Sequence, residues 1–175
     1  MFRLETDRLL IRPWSDADRP ALLEILQDVK VVRYINAGRP LSDEEVDAAL
    51  ARHARNLAEH GVCMGAAVEK GSGRLAGIAG VQPLGTTDDL EIGWVFGRHA
   101  WGRGYATEAG AAAMRHVLET LRRPRVVAII DPDNLPSKRV AARLGMEYEA
   151  RYTGGQLGHR NPEIVVDLYV KQGGD

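Results

Sequence analysis

The sequence holds one cysteine, Cys63, among 175 residues. A lone thiol closes no disulfide within the chain, so a disulfide-built extracellular scaffold is excluded and a reducing compartment is expected. Cys63 reads as a small buried hydrophobe rather than a nucleophile. Neither sign of charge is in excess: 23 Lys and Arg stand against 24 Asp and Glu, mixed along the length. The basic footprint of a nucleic-acid binder is missing, and no nucleic-acid partner is expected. No apolar run approaches the roughly 18 residues of a membrane span, and the opening MFRLETDRLLIRP carries no apolar signal core. No membrane association and a cytoplasmic location are therefore expected. The five histidines, His53, His60, His99, His116 and His159, lack HExxH-type spacing, so no metal is expected. GxxxxGK[ST] is absent, and a dinucleotide fingerprint begun at Gly102 fails at Thr107 where glycine is needed. Nucleotide hydrolysis and nicotinamide chemistry both fall away.

What is present fits a single domain over residues 1–175, since domains commonly run about 100 to 200 residues. RLLIRPW (8–14) alternates like a half-buried strand, and Leu22, Ile25, Leu26 and Val29 then recur at helical spacing. Ser42 with Glu45 makes a capping box that opens a helix to about His60, with Val46, Leu50 and Leu57 inward and Gly61 as its stop. CMGAAVE (63–69) and RLAGIAGVQ (74–82) form a hairpin through KGSG. LEIGWVF (90–96) follows, with Leu90, Ile92, Trp94 and Phe96 on one face and Glu91, Gly93 and Val95 on the other. Gly93 suggests either a bulge or a packing gap under Trp94. ATEAGAAAMRHVLETL (106–121) is the clearest helix, with Ala109, Ala113, Val117 and Leu121 as its stripe and first turns nearly free of side chains. RVVAII (125–130) is apolar throughout, the mark of a central strand covered on both faces. A helix from Asn134 to Leu144 and strands MEYEARYT (146–153) and EIVVDLYV (163–170) complete the chain. This order implies an α/β (α+β three-layer) domain, its mixed, mostly antiparallel sheet of about seven strands covered by helices on both faces.

GRHAWGRGYATE (97–108) lies between an apolar strand and a long helix. A helix N-terminus presents unpaired N–H groups and a partial positive charge, which together attract anions. Gly104 removes a side chain there, Ala106 keeps the next one small, Thr107 adds a hydroxyl and Arg103 adds charge: the parts of a pyrophosphate cradle. The same glycines also serve a plain tight turn.

EIGWVF, WGRGYATEA and DPDNLPSKRVAARLGM together resemble the GNAT superfamily of N-acetyltransferases, specifically its branch of ribosomal-protein alanine acetyltransferases (RimJ/RimL-type). The likeness spans nearly the whole chain, starting at LETDRLLIRPW. The family's acyl-CoA motif places Gly104 and Ala106 in its last two positions, with Trp101 where Gln or Arg is usual. The resemblance implies acetyl-CoA as acyl donor, strand 90–96 splayed from strand 125–130, and pantetheine in the gap against the main chain of Trp94, Val95 and Phe96. Arg103, Gly104, Ala106, Thr107 and the helix dipole would hold the pyrophosphate, and Asn134 either caps its helix or meets the pantetheine amides.

Acetyl transfer to an amine needs a neutral amine, a stabilised oxyanion and a proton donor for the thiolate, without a covalent intermediate. Glu91 is the expected base or charge attractor, and an N–H near Trp94 or Val95 the oxyanion donor. Ser137 is where the resemblance places the group that protonates the CoA sulfur, with Tyr148 and Tyr152 as alternative acids and helix capping as its plain alternative. Lys138 and Arg139 could approach the CoA phosphates or stay solvated. The expected acceptor is a primary amine, a protein N-terminus or a small molecule. Transfer of a larger acyl group from a donor such as succinyl-CoA, and a non-catalytic acyl-CoA sensor, are the alternatives; a homodimer is a family-level expectation.

Overall fold

A computed structural model describes residues 2–174. Along the chain run β1 (Leu4–Glu5), β2 (Leu9–Arg12), α1 (Arg19–Leu26), α2 (Asp43–His60), β3 (Met64–Glu69), β4 (Leu75–Pro83), β5 (Leu90–Phe96), α3 (Tyr105–Arg115), β6 (Arg125–Ile130), α4 (Leu135–Arg143), β7 (Glu147–Thr153) and β8 (Val165–Gln172). The strands form one sheet in the order β1-β2-β3-β4-β5-β6-β8-β7. All neighbours are antiparallel except β5 and β6. The seven expected strands are all present, and the two-residue β1 adds an eighth outside β2. Among the described residues no helix is long and apolar enough to cross a membrane.

Local chemistry explains most boundaries. Ser42 and Glu45 make both bonds of the capping box, Glu45 N–H to Ser42 Oγ at 3.3 Å and Ser42 N–H to Glu45 Oε2 at 2.8 Å, and Gly61 ends α2 at φ +71. The first helix is shorter than its apolar spacing suggests. It stops at Leu26 because Asp28 turns the chain, accepting from Lys30 N–H at 2.9 Å and pairing with Arg98, and Val29 is left 61% exposed. α3 widens into a π-helical turn over His116–Thr120, and Leu121 ends partly exposed outside the stripe expected to bury it.

The sheet is covered on both faces. One apolar cluster joins Ile92, Phe96, Val126, Ala128 and Ile130 to α3 and α4 through Tyr105, Ala109, Ala113, Val140 and Leu144. On the other face, Ala66 and Ile78 pack under α1 and α2 with Leu22, Ile25 and Val46. Further along that face, Val127, Val166, Leu168 and Val170 pack with Leu157 and Leu84. Leu157 belongs to the 154–163 loop, which is tied to the β4–β5 turn by Thr86 N–H donating to Leu157 O at 3.2 Å. β6 is thus buried from both sides, as its unbroken apolar run required.

Candidate active site

The sheet splits where β5 meets β6. Their only register pair is Glu91 opposite Val127, although β5 runs five residues further, to Phe96. On its other edge β5 stays in register with β4 throughout, and Gly97 N–H continues that ladder by donating to Ala76 O at 2.9 Å. Main-chain groups alternate between edges along a strand, so those of Glu91, Gly93 and Val95 turn to β4 while those of Trp94 and Phe96 turn to the split. This corrects the expectation for Val95, whose main chain is taken up by its ladder with Ile78. The Phe96 carbonyl accepts the Trp101 indole N–H at 2.7 Å, which pins the following loop to the mouth of the split. Gly93 marks no bulge, because the β4–β5 register is unbroken across it. A Cβ there would lie 2.8 Å from Met64 Cε, so the missing side chain makes room on the α1–α2 face rather than under Trp94.

At the mouth, Gly104 occupies the N-cap position of α3 with φ +77, a conformation costly for any residue with a Cβ, and no side chain caps the helix. The N–H groups of Tyr105, Ala106 and Thr107 open the first turn and have no partner within the helix. A Cβ on Gly102 would meet nothing within 4 Å, and one on Gly104 only Arg8 Nη2 at 3.5 Å, so the loop leaves its backbone approachable. These residues fit a bulky anion. Arg103 is differently engaged: it pairs with Glu69 at the end of β3, and its guanidinium lies 4.6 Å from the Tyr105 ring centroid. Bonds from Ser72, Tyr105 and Arg103 hold the Glu69 carboxyl down at about 2.

Across the split, Asn134 Oδ1 accepts from Ser137 N–H at 3.2 Å, the ordinary N-cap bond of α4. Trp94 Nε1 then donates to Ser137 Oγ at 3.3 Å, so the hydroxyl at the start of α4 is tied to the strand lining the gap. Gly110 makes this possible: a Cβ there would lie 3.3 Å from the Trp94 ring and 2.8 Å from Leu144 Cδ1, so its absence lets α3 press the indole into place. Tyr148 packs edge-on against Tyr169 with ring centroids 5.9 Å apart, and Tyr152 packs in the cluster under the 154–163 loop. β7 is the sheet edge, and the order β5-β6-β8-β7 puts it three strand spacings, about 14 Å, from β5. Lys138 is likewise committed elsewhere, to buried Asp167 at 2.7 Å, with Arg151 on the same carboxylate. Arg139 is exposed.

Glu91 points to the opposite face from Trp94, at the junction between the cluster under α2 and the cluster under the 154–163 loop. It is 8% exposed, and Gln82 Nε2 donates to it at 3.4 Å. Burial raises its carboxyl to about 7, against smaller downward pulls from Gln82 and from the charge of Arg160. α2 contributes two further polar residues to this face. His53 is 7% exposed, and both its Nδ1 and Arg52 Nε are buried without a hydrogen-bond partner. Burial holds His53 down at about 3 and Arg52 at about 10, so at neutral pH the imidazole is uncharged and the guanidinium charged. Sequence reading passed over both. The signal for His53 was its place on the stripe of Val46, Leu50 and Leu57, where an aliphatic residue would ordinarily complete the inward face.

Comparison with known proteins identifies the family. Residues 8–147 match the family model described as an acetyltransferase (GNAT) domain. Over 150 residues the chain is 33% identical to YkkB of Bacillus subtilis strain 168, covering 83% of this chain and 86% of YkkB. The solved acetyltransferase (GNAT family) from Bacillus anthracis superposes with a TM-score of 0.79 at 25% identity, over 98% of each chain. The same fold at 18% identity, with a TM-score of 0.78 over 98% of each chain, occurs in RimL, the ribosomal L7/L12 alpha-N-protein acetyltransferase solved with coenzyme A. A domain match across most of the chain, carried by a sheet that opens beside an uncapped helix, places this protein in the GNAT acetyltransferase family and makes it an acyl-transfer enzyme.

Proposed function

We propose that the protein is an acetyl-CoA-dependent N-acetyltransferase that moves the acetyl group from the CoA thioester to a primary amine by direct attack. This reading is supported by two polar side chains on opposite faces of one opening, buried Glu91 at the last paired residue of β5 and Ser137 bridged to Trp94, which would serve as base and acid. The donor's pyrophosphate lies against the N–H groups of Tyr105, Ala106 and Thr107 beside Gly104, with Arg103 at the rim. The pantetheine follows the β5 edge at Trp94 and Phe96. Asn134 acts by capping α4 and so holding Ser137.

Glu91, poised near neutrality, takes a proton from the acceptor ammonium. The neutral nitrogen attacks the thioester carbonyl and a C–N bond forms, with the Trp94 N–H toward the developing oxyanion. The C–S bond then breaks, the thiolate takes the Ser137 proton, and the second proton shed by the attacking nitrogen restores the Ser137 hydroxyl as the amide forms. The indole N–H donated to Ser137 Oγ polarises that hydroxyl and strengthens it as a donor. Overall one proton is released with the amide and the free thiol. RimL acts on a protein amine, which keeps a protein N-terminus among the acceptors.

Thermal unfolding with acetyl-CoA, succinyl-CoA, CoA and ATP, followed by thiol release across a panel of amines, tests the reading. Ligand at 100 times its Kd adds about 2.7 kcal/mol and raises the midpoint by several degrees. The reading requires this for acetyl-CoA and not ATP, together with amine-dependent thiol release. A larger response to succinyl-CoA identifies a larger acyl donor; acyl-CoA binding without turnover identifies a sensor.

A further inference from the structure

The residues flanking Glu91 say what kind of amine comes to it, an inference that rests on the reaction proposed above. Arg52 and His53 come from the middle of α2. Arg160 comes from the 154–163 loop, which is seated on the β4–β5 turn through Thr86 and closed on itself by His159 N–H donating to Gly154 O at 2.8 Å. α2 and the 154–163 loop cover the same face of the sheet, the one toward which Glu91 points, and the charge of Arg160 is felt at Glu91, Arg52 and His53. His159 joins them, its ring 3.4 Å from Arg160 Nη1.

The charge balance of these residues is one-sided. Arg160 acts on the Glu91 carboxyl and on the Arg52 guanidinium, and among the described residues no salt bridge engages Arg52 or Arg160. Other arginines without an acidic partner, such as Arg55, Arg74 and Arg139, are exposed, whereas Arg52 is largely removed from water. Arg52 Nε and His53 Nδ1 are also buried without any hydrogen-bond partner, and a buried guanidinium N–H is a strong donor that favours an anionic oxygen. A cationic amine alone would be repelled here.

We propose that the acceptor is a primary amine that also carries an anionic oxygen group, a carboxylate or phosphate, held by Arg52 and Arg160 with His53 so that the amine reaches Glu91. One net negative group offsets the two guanidinium charges while the amine end meets the carboxyl. Specificity then lies in the α2–loop pair, not in the donor cradle.

The test compares matched amines with and without the anion: glycine against glycinamide, β-alanine against its amide, and O-phosphoethanolamine against ethanolamine. Each is measured by thiol release from acetyl-CoA and by its effect on thermal unfolding of the CoA-loaded protein. The anionic member should be preferred, and Arg160→Gln should shrink that preference about tenfold, the scale of one charge-assisted hydrogen bond. Arg160→Lys should restore part of it and Arg160→Glu should reverse it. Arg160 is exposed on a loop, so these variants leave the core intact. Preference for the neutral member, or an Arg160→Gln loss that falls equally on both members, overturns the proposal. Anion-selective stabilisation without any thiol release upholds the anion site while rejecting the reaction; thiol release without anion preference does the converse.

Discussion

The two sides of the split differ in how their polar groups are satisfied. On the donor side, Ser137 N–H finds Asn134, the Trp94 indole finds Ser137 Oγ, the Trp101 indole finds the Phe96 carbonyl and Arg103 finds Glu69. On the acceptor side, Glu91 has a long 3.4 Å contact from Gln82, and Arg52 Nε and His53 Nδ1 have no partner. Buried polar groups are usually paired, and this imbalance is what the proposed assignment of base and acceptor site rests on. The donor side of the proposed site offers largely main chain and small residues. The acceptor side keeps its reactive groups in an uncomfortable state.

The largest effect expected from breaking this contrast is at Glu91. Glu91→Gln should lower kcat roughly 10² to 10⁴-fold, the range of general base catalysis, and flatten a kcat/KM profile that otherwise rises with pH through about 7. Stability should move the other way. The folded state holds the Glu91 proton above its ordinary 4.5, so stability falls as pH rises from about 4.5 to about 7. His53 has the opposite sign: held at about 3 against 6.5, it makes stability fall as pH drops through that interval. Chemical denaturation of Glu91→Gln should therefore show a gain approaching roughly 3 kcal/mol at pH 8 and none at pH 4. An unchanged pH profile in a folded Glu91→Gln protein removes Glu91 from the base role.

Ser137 comes next. Ser137→Ala should cost about 10- to 100-fold in kcat, at the lower end for a general acid because a thiolate leaves readily, with the KM for acetyl-CoA little moved. Trp94→Phe, which removes only the indole donor, should reproduce a fraction of that loss. A tenfold rise in KM without a kcat change would make Ser137 a binding residue.

The same contrast explains what could be read in advance. Donor-side features are local: a glycine before a helix, Asn134 three residues before Ser137, and an apolar strand followed by a small-residue helix all lie within short windows. The strand set and the split followed from such windows together with the family resemblance. The acceptor side joins residues 52–53, 91 and 160, so only the fold brings it together, and Arg52 and His53 went unnoticed in an ordinary helical pattern. Val95 was misassigned because strand parity depends on which neighbour takes the odd-numbered main chain, and Val29 because Asp28 ended its helix early.

Packing that links the two sides gives a smaller, structural effect. Gly110→Ala places a methyl group 2.8 Å from Leu144 Cδ1 and 3.3 Å from the Trp94 ring. Leu144 can yield by changing rotamer, so the cost should be about 1–3 kcal/mol, read as a lowered Tm. Because the indole is displaced with it, kcat should fall while the Glu91 pH profile keeps its midpoint. A stability loss with full activity would show that the Trp94–Ser137 contact is incidental.

The smallest effect should come from the residue that sequence alone makes most conspicuous. Arg103 adds charge beside the anion cradle, but in the fold that charge is shared with Glu69, and its guanidinium stacks on Tyr105, whose other flank carries Arg8 4.8 Å from the ring centroid. An exposed pair of this kind contributes about 0–1 kcal/mol, and the net charge offered to a phosphate is much reduced. Anchoring of the donor then falls to the first-turn N–H groups and the helix dipole, typically worth about 0.3–1 kcal/mol for each nearby anion. Arg103→Gln should accordingly raise the KM for acetyl-CoA by less than about fivefold, a change below 1 kcal/mol. Glu69→Gln should lower that KM slightly, by releasing Arg103 toward the phosphates. A loss of fiftyfold or more in Arg103→Gln would mean that the ion pair opens when the donor binds and that the cradle relies on a side-chain charge after all.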